Sequence, residues 1–91
     1  MEAIIHISGV IGELGYSSQY TFASLASDIK EAREKGATSF KFVIDSDGGL
    51  VDEGFLMASY IQSLKEPTTA VAVRVYSIAN IIYFACDKRE S

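Results

Sequence analysis

The chain has 91 residues, 48% of them hydrophobic, which suits one small domain with one core and is too apolar for a disordered chain. Its net charge of −4 argues against a nucleic-acid footprint, and no apolar run approaches the ~20 residues of a membrane span. A single cysteine, Cys86, allows no internal disulfide, and Met1-Glu2 opens no basic leader, so the expectation is a cytoplasmic protein.

Residues 3–8, AIIHIS, read as the first strand, apolar enough to be covered on both faces. Gly9 and Gly12 punctuate a loop through Gly15, and Ser17 or Ser18 is placed to cap a helix. Residues 21–35 form the clearest helix, with Phe22, Leu25, Ala26 and Ile29 on one face and Lys30, Glu31, Arg33, Glu34 and Lys35 on the other. Gly36 supplies its stop. A second strand, Ser39 to Asp45, runs into the tight turn Asp47-Gly48-Gly49.

The second helix is expected from Val51 to Lys65, with Asp52 and Glu53 in its first turn, where negative charge suits the helix dipole. Gly54, Met57, Ala58, Ile61 and Leu64 make its packing stripe, with Gly54 allowing a close approach to the sheet. Pro67 ends the segment, and Thr69 to Val75 form a third, β-branched strand. Residues 77–85, SIANIIYFA, are apolar nearly all round and predict a buried helix. The βαβαβα order predicts an α/β fold with parallel strands and right-handed crossovers, in a single domain over residues 1–91. The abrupt stop at Cys86-Asp87-Lys88-Arg89-Glu90-Ser91 reads as the N-terminal portion of a larger, here incomplete, sheet.

Ligands and chemistry gather at the carboxyl ends of strands in such a sheet. The stretch 40–54, FKFVIDSDGGLVDEG, places two glycines there, which lets backbone N–H groups come close to a ligand. Ser77 stands at the next strand-to-helix handover. It reads either as a helix N-cap or as a nucleophile, with the N–H groups of Gly49 and Ile78 as oxyanion donors. His6, the only histidine, lies inside the first apolar strand and is expected to be a packed, structural residue. Cys86 reads as a buried structural thiol. Asp45, Asp47 and Asp52 miss the calcium-loop spacing, and neither a metal-ligand cluster nor a phosphate or cofactor motif is present.

The run VIDSDGGLVDEG, followed by a helix, a strand and YSIANIIYFACDK, resembles the Clp protease proteolytic subunit family, and most of all its phage prohead-protease branch. That family has a strand ending in an Asn-Ser-Pro-Gly-Gly loop and a glycine five residues further on, where this chain has Gly54. It then has a helix, a strand and a catalytic serine heading an apolar helix, where this chain has Ser77. The opening IHISGVIG is similar to the family's first strand and turn, so the resemblance covers nearly the whole chain.

The resemblance implies a crotonase-like spiral of βαβ units and a serine endopeptidase, with Ser77 as nucleophile and Gly49 and Ile78 as the oxyanion hole. It implies a polypeptide substrate, a ring-type homo-oligomer and, in some members, an ATP-driven unfoldase. The departures are Asp47 in place of the loop proline, Val73 in place of a glycine, and Asn80 in place of a small residue. The family's histidine and acidic partner lie downstream of the serine, beyond Ser91, so this chain alone is expected to be inactive.

Two other classes compete. A non-enzymatic module of the anti-sigma-factor-antagonist (STAS) type also carries an Ile-Asp-Ser-x-Gly turn, which would make Ser46 a phosphoacceptor. A crotonase-type acyl-CoA binder would use the same backbone donors without a serine. An incomplete sheet would leave apolar surface of the last helix uncovered, which predicts self-association.

Overall fold

The first strand forms as β1 (Glu2–Ser8) and leads into β2 (Val10–Ile11). The computed structural model describes residues 1–12 and 19–91, so Ser17 and Ser18 fall outside the described residues. After β3 (Gln19–Tyr20), α1 (Phe22–Glu34) begins on a capping box. Thr21 Oγ1 accepts the Ser24 N–H at 3.1 Å, and Ser24 Oγ accepts the Thr21 N–H at 3.3 Å. Thr21 therefore caps the helix. There follow β4 (Ser39–Ser46), α2 (Val51–Ser63), β5 (Thr68–Val75), α3 (Ala79–Ala85) and β6 (Lys88–Glu90).

The fold is α/β, with a four-stranded parallel sheet in the order β1-β4-β5-β6 and a small parallel pair, β2-β3. The expected βαβαβα order is present. The pairs β2-β3 and the strand β6 are additions to it, too short for periodicity to mark. β6 is Lys-Arg-Glu, and its place comes from pairing Lys88, Arg89 and Glu90 with Thr69, Ala70 and Val71.

One core holds the sheet to all three helices. Ile5, Ile7, Phe40, Phe42 and Ile44 meet Leu25, Ile29, Met57, Ile61 and Ile82 in a single cluster. Burial alternates along β4, with Phe40, Phe42, Ile44 and Ser46 inward. The helices thus cover one face of the sheet, and the other face is open. This corrects the expectation for β1: Ile5 and Ile7 are buried, but Ile4 is 60% exposed and His6 is exposed. His6 is not a packed histidine; it lies on the uncovered side of an edge strand.

The last helix is also corrected. α3 buries Ala79, Ile82 and Ala85, while Asn80 is exposed and Phe84 is 62% exposed, so it is a surface helix with one buried stripe. Cys86 is buried as expected, and burial pushes its thiol up to about 11.

Polar groups at the amino ends of the strands are closely paired. Arg33 grips Glu66 through two nitrogens, at 2.7 and 2.9 Å. That hydrogen-bonded guanidinium pulls the Glu66 carboxyl from 4.5 down to about 2. Thr68 and Asp87 exchange hydrogen bonds of 3.0 and 2.9 Å, and the terminal amine of Met1 reaches Thr38 Oγ1 at 2.8 Å. Between β4 and β5 the register shifts: Ile44 faces Ala72, and Asp45 faces Arg74, leaving Val73 as a bulge. Among the described residues, no helix is long and apolar enough to cross a membrane.

Candidate active site

The turn after β4 is fixed from below by a buried serine. Ser46 is 0% exposed, and its hydroxyl donates to the Gly9 carbonyl at 2.6 Å while accepting the Gly48 N–H at 3.1 Å. Ser46 is therefore a pin between the two loops that leave β1 and β4. The chain then runs beside β2. The Ile11 N–H donates to the Gly48 carbonyl at 3.0 Å, and the Leu50 N–H donates to the Ile11 carbonyl at 2.8 Å. Because Gly48 C=O and Leu50 N–H both face Ile11, the pleat turns the intervening Gly49 N–H the other way.

The two glycines are there for space. A Cβ on Gly49 would lie 2.2 Å from the Ile11 carbonyl oxygen, and one on Gly48 would lie 2.7 Å from Ser77 Cβ. Gly48 also has φ +110°, a conformation that side chains with a Cβ rarely adopt. The turn thus touches both β2 and Ser77, which brings Gly49 and Ser77 to one end of the sheet.

Ser77 itself has φ 57°, the one left-handed non-glycine among the described residues. It is exposed, on a turn in which the Ala79 and Asn80 N–H groups donate to the Tyr76 and Ser77 carbonyls, both at 3.1 Å. The helix cap falls on Ile78, with no side-chain hydrogen bond, so Ser77 does not serve as an N-cap. Ile78 is seated by Gly54 of α2, where a Cβ would meet Ile78 Cγ1 at 2.3 Å. Gly54 therefore admits Ile78 at the head of α3, not the sheet.

Among the described residues, the N–H groups of Gly49 and Ile78 donate to no protein acceptor. Ile78 follows the exposed Ser77 directly in the chain, and Gly48, the neighbour of Gly49, packs against Ser77, so both donors belong to the turns that meet at this serine. Asp47, the charge beside them, is 72% exposed and lies against Arg74 Nε at 3.4 Å, while Arg74 also binds Asp45 at 3.0 Å. The guanidinium holds both carboxylates on the outer rim. Arg74 belongs to no motif in the sequence; for Ser46, a serine two residues before a glycine is the signal of its turn contact.

No histidine serves Ser77. His6 is in register with Val43, which in turn faces Val71, six residues short of Ser77 in the sequence. Two strand spacings, about 10 Å, separate β1 from β5 laterally. No family model matches the chain, and no curated protein matches it significantly.

Proposed function

We propose that this chain carries the nucleophile and oxyanion hole of a serine endopeptidase of the Clp or phage head-maturation type, built on a crotonase-like spiral of βαβ units. One observation supports the reading: an exposed serine, held at φ 57° on a strand-to-helix turn, packs beside a glycine turn, and among the described residues the N–H groups of Gly49 in that turn and of Ile78 next to the serine donate to no acceptor. Strain of this kind at a strand-to-helix turn suits a nucleophile whose hydroxyl must stand clear of the sheet.

In the reaction, Ser77 Oγ attacks the carbonyl carbon of a peptide bond and gives its proton to a base. The carbonyl oxygen becomes an oxyanion and accepts hydrogen bonds from Gly49 and Ile78. Collapse expels the amine, which takes up the proton, and water then releases the acyl group from Ser77. On this reading the base is a group other than His6, the single histidine of these 91 residues, which lies on β1. A ring of copies, fed by an ATP-driven unfoldase, would supply both the enclosure and the polypeptide substrate.

The regulatory-module reading would need phosphate transfer to Ser46. Its burial and its two hydrogen bonds weigh against that role.

The test is labelling by a fluorophosphonate probe with imidazole added as an external base. Labelling of the wild type, lost in Ser77→Ala with an unchanged circular dichroism spectrum, supports the reading. An unlabelled wild type, or equal labelling of both proteins, sinks it.

A further inference from the structure

We infer that the outer edge of β1 is an interface with a second copy of this chain, the two β1 strands pairing antiparallel about a two-fold axis at Ile4. β1 ends the strand order β1-β4-β5-β6, and among the described residues nothing pairs with its outer edge. The direction of its backbone groups follows from one bond. The Gly9 N–H donates to Asp45 on β4, so odd-numbered residues of β1 turn their N–H and C=O groups inward. Glu2, Ile4 and His6 therefore turn theirs outward, as an unused ladder.

Such edges are normally blunted by proline, a bulge or an inward charge. β1 has none of these over seven residues, and it exposes Ile4 at its middle. Nor does α1 shield it. A groove of about 370 Å³, lined by Ile5, Asp28, Ala32 and Lys35 among others, runs between the strand and that helix.

Charge selects the register. Antiparallel pairing centred on Ile4 sets Glu2 opposite His6 of the second copy, Ile4 opposite Ile4, and His6 opposite Glu2. Each outward-facing pair exchanges two backbone hydrogen bonds, and opposite residues share a face. On the open face an apolar centre is then flanked on both sides by a carboxylate–imidazole hydrogen bond. On the helix side, Ala3 meets Ile5, a small residue against a large one. Sliding by two residues sets Glu2 against Ser8 and Ile4 against His6, and both matches are lost. The result is one continuous eight-stranded sheet, independent of the chemistry at Ser77.

Sedimentation equilibrium over a concentration series tests this on the wild type, Ile4→Pro, Glu2→Lys, His6→Glu and the double variant. Proline removes the outward N–H of residue 4 and leaves the β1–β4 ladder whole, so it is tolerated in the fold and blocks pairing. The wild type is expected to dimerise and Ile4→Pro to stay monomeric with an unchanged circular dichroism spectrum. Each single substitution at Glu2 or His6 alters two symmetric pairs, so dissociation constants rise about tenfold, and the double variant restores them to within about threefold. If Ile4→Pro unfolds, the charge cycle decides alone. A wild type monomeric at hundreds of micromolar overturns the proposal and leaves the edge to a strand of another protein. A dimer insensitive to Ile4→Pro, or charge effects that merely add, overturns it in favour of another face, such as that around Phe84.

Discussion

The two ends of the sheet treat their polar groups differently. At the amino ends, polar groups are saturated with one another: Arg33 with Glu66, Thr68 with Asp87, Met1 with Thr38. At the carboxyl ends, Gly49 and Ile78 keep free N–H groups and Ser77 keeps an exposed hydroxyl, among the described residues. The lesson is that free donors have to be protected from their neighbours. Left to itself a turn satisfies its own groups. Here Ile11 draws Gly48 and Leu50 to one side, Ser46 holds the Gly48 N–H, and Gly49 is left facing outward.

That contrast breaks most sharply at Gly49. Gly49→Ala drives a Cβ into the Ile11 carbonyl, a backbone atom that cannot swing aside. It should cost about 3 kcal/mol, read as a lower urea midpoint. A midpoint within a few tenths of a kcal/mol of wild type would mean that the turn is not held against β2.

Next comes Ser46→Ala, which leaves the buried Gly48 N–H and Gly9 carbonyl short of a partner. The expected loss is about 1–2 kcal/mol, with faster hydrogen exchange at the Gly48 amide and unchanged exchange within β4. Uniformly faster exchange would place Ser46 in the general core instead of at the turn.

The smallest effect belongs to the saturated end. Glu66 has its folded-state pKa lowered from 4.5 to about 2, so its stabilisation is full above pH 4.5 and fades as pH falls through 2. Arg33 is 39% exposed, so solvent screening leaves about 1 kcal/mol at neutral pH. Glu66→Gln should lose that much at pH 7, and its urea midpoint should converge with that of wild type near pH 2. A constant gap across that range would assign the effect to packing and not to charge.

The sequence carried the frame of the fold because its signals were local. Phe22, Leu25 and Ile29 mark α1 by spacing, and Gly54, Met57, Ala58 and Ile61 mark α2 in the same way. Edge position is not local. Ile4 and His6 read as core because nothing in AIIHIS tells which side of a sheet will be left open. The same holds for the exposed Phe84: an apolar stretch such as 77–85 does not reveal how many of its faces find a neighbour. At the site, the glycine pair and the handover at Ser77 were legible, since turns demand particular residues. The grip of Arg74 on Asp45 and Asp47 was not, because it depends on which residue of β5 the ladder skips.

That skipped residue gives β5 two reading frames. Up to Ala72, even-numbered positions face the helices; past Val73, Val75 takes that side opposite Ser46, and Arg74 turns to the open face. Without the extra residue's escape from the ladder, Val73 would stand against Asp45 and Arg74 would be driven towards the core. Val73 is thus a spacer. A deletion there removes a letter that the ladder never read, and every partner downstream stays in frame. The same deletion at Ala70 would pull Val73 into the ladder and turn Val71 and Ala72 over to the opposite faces of the sheet.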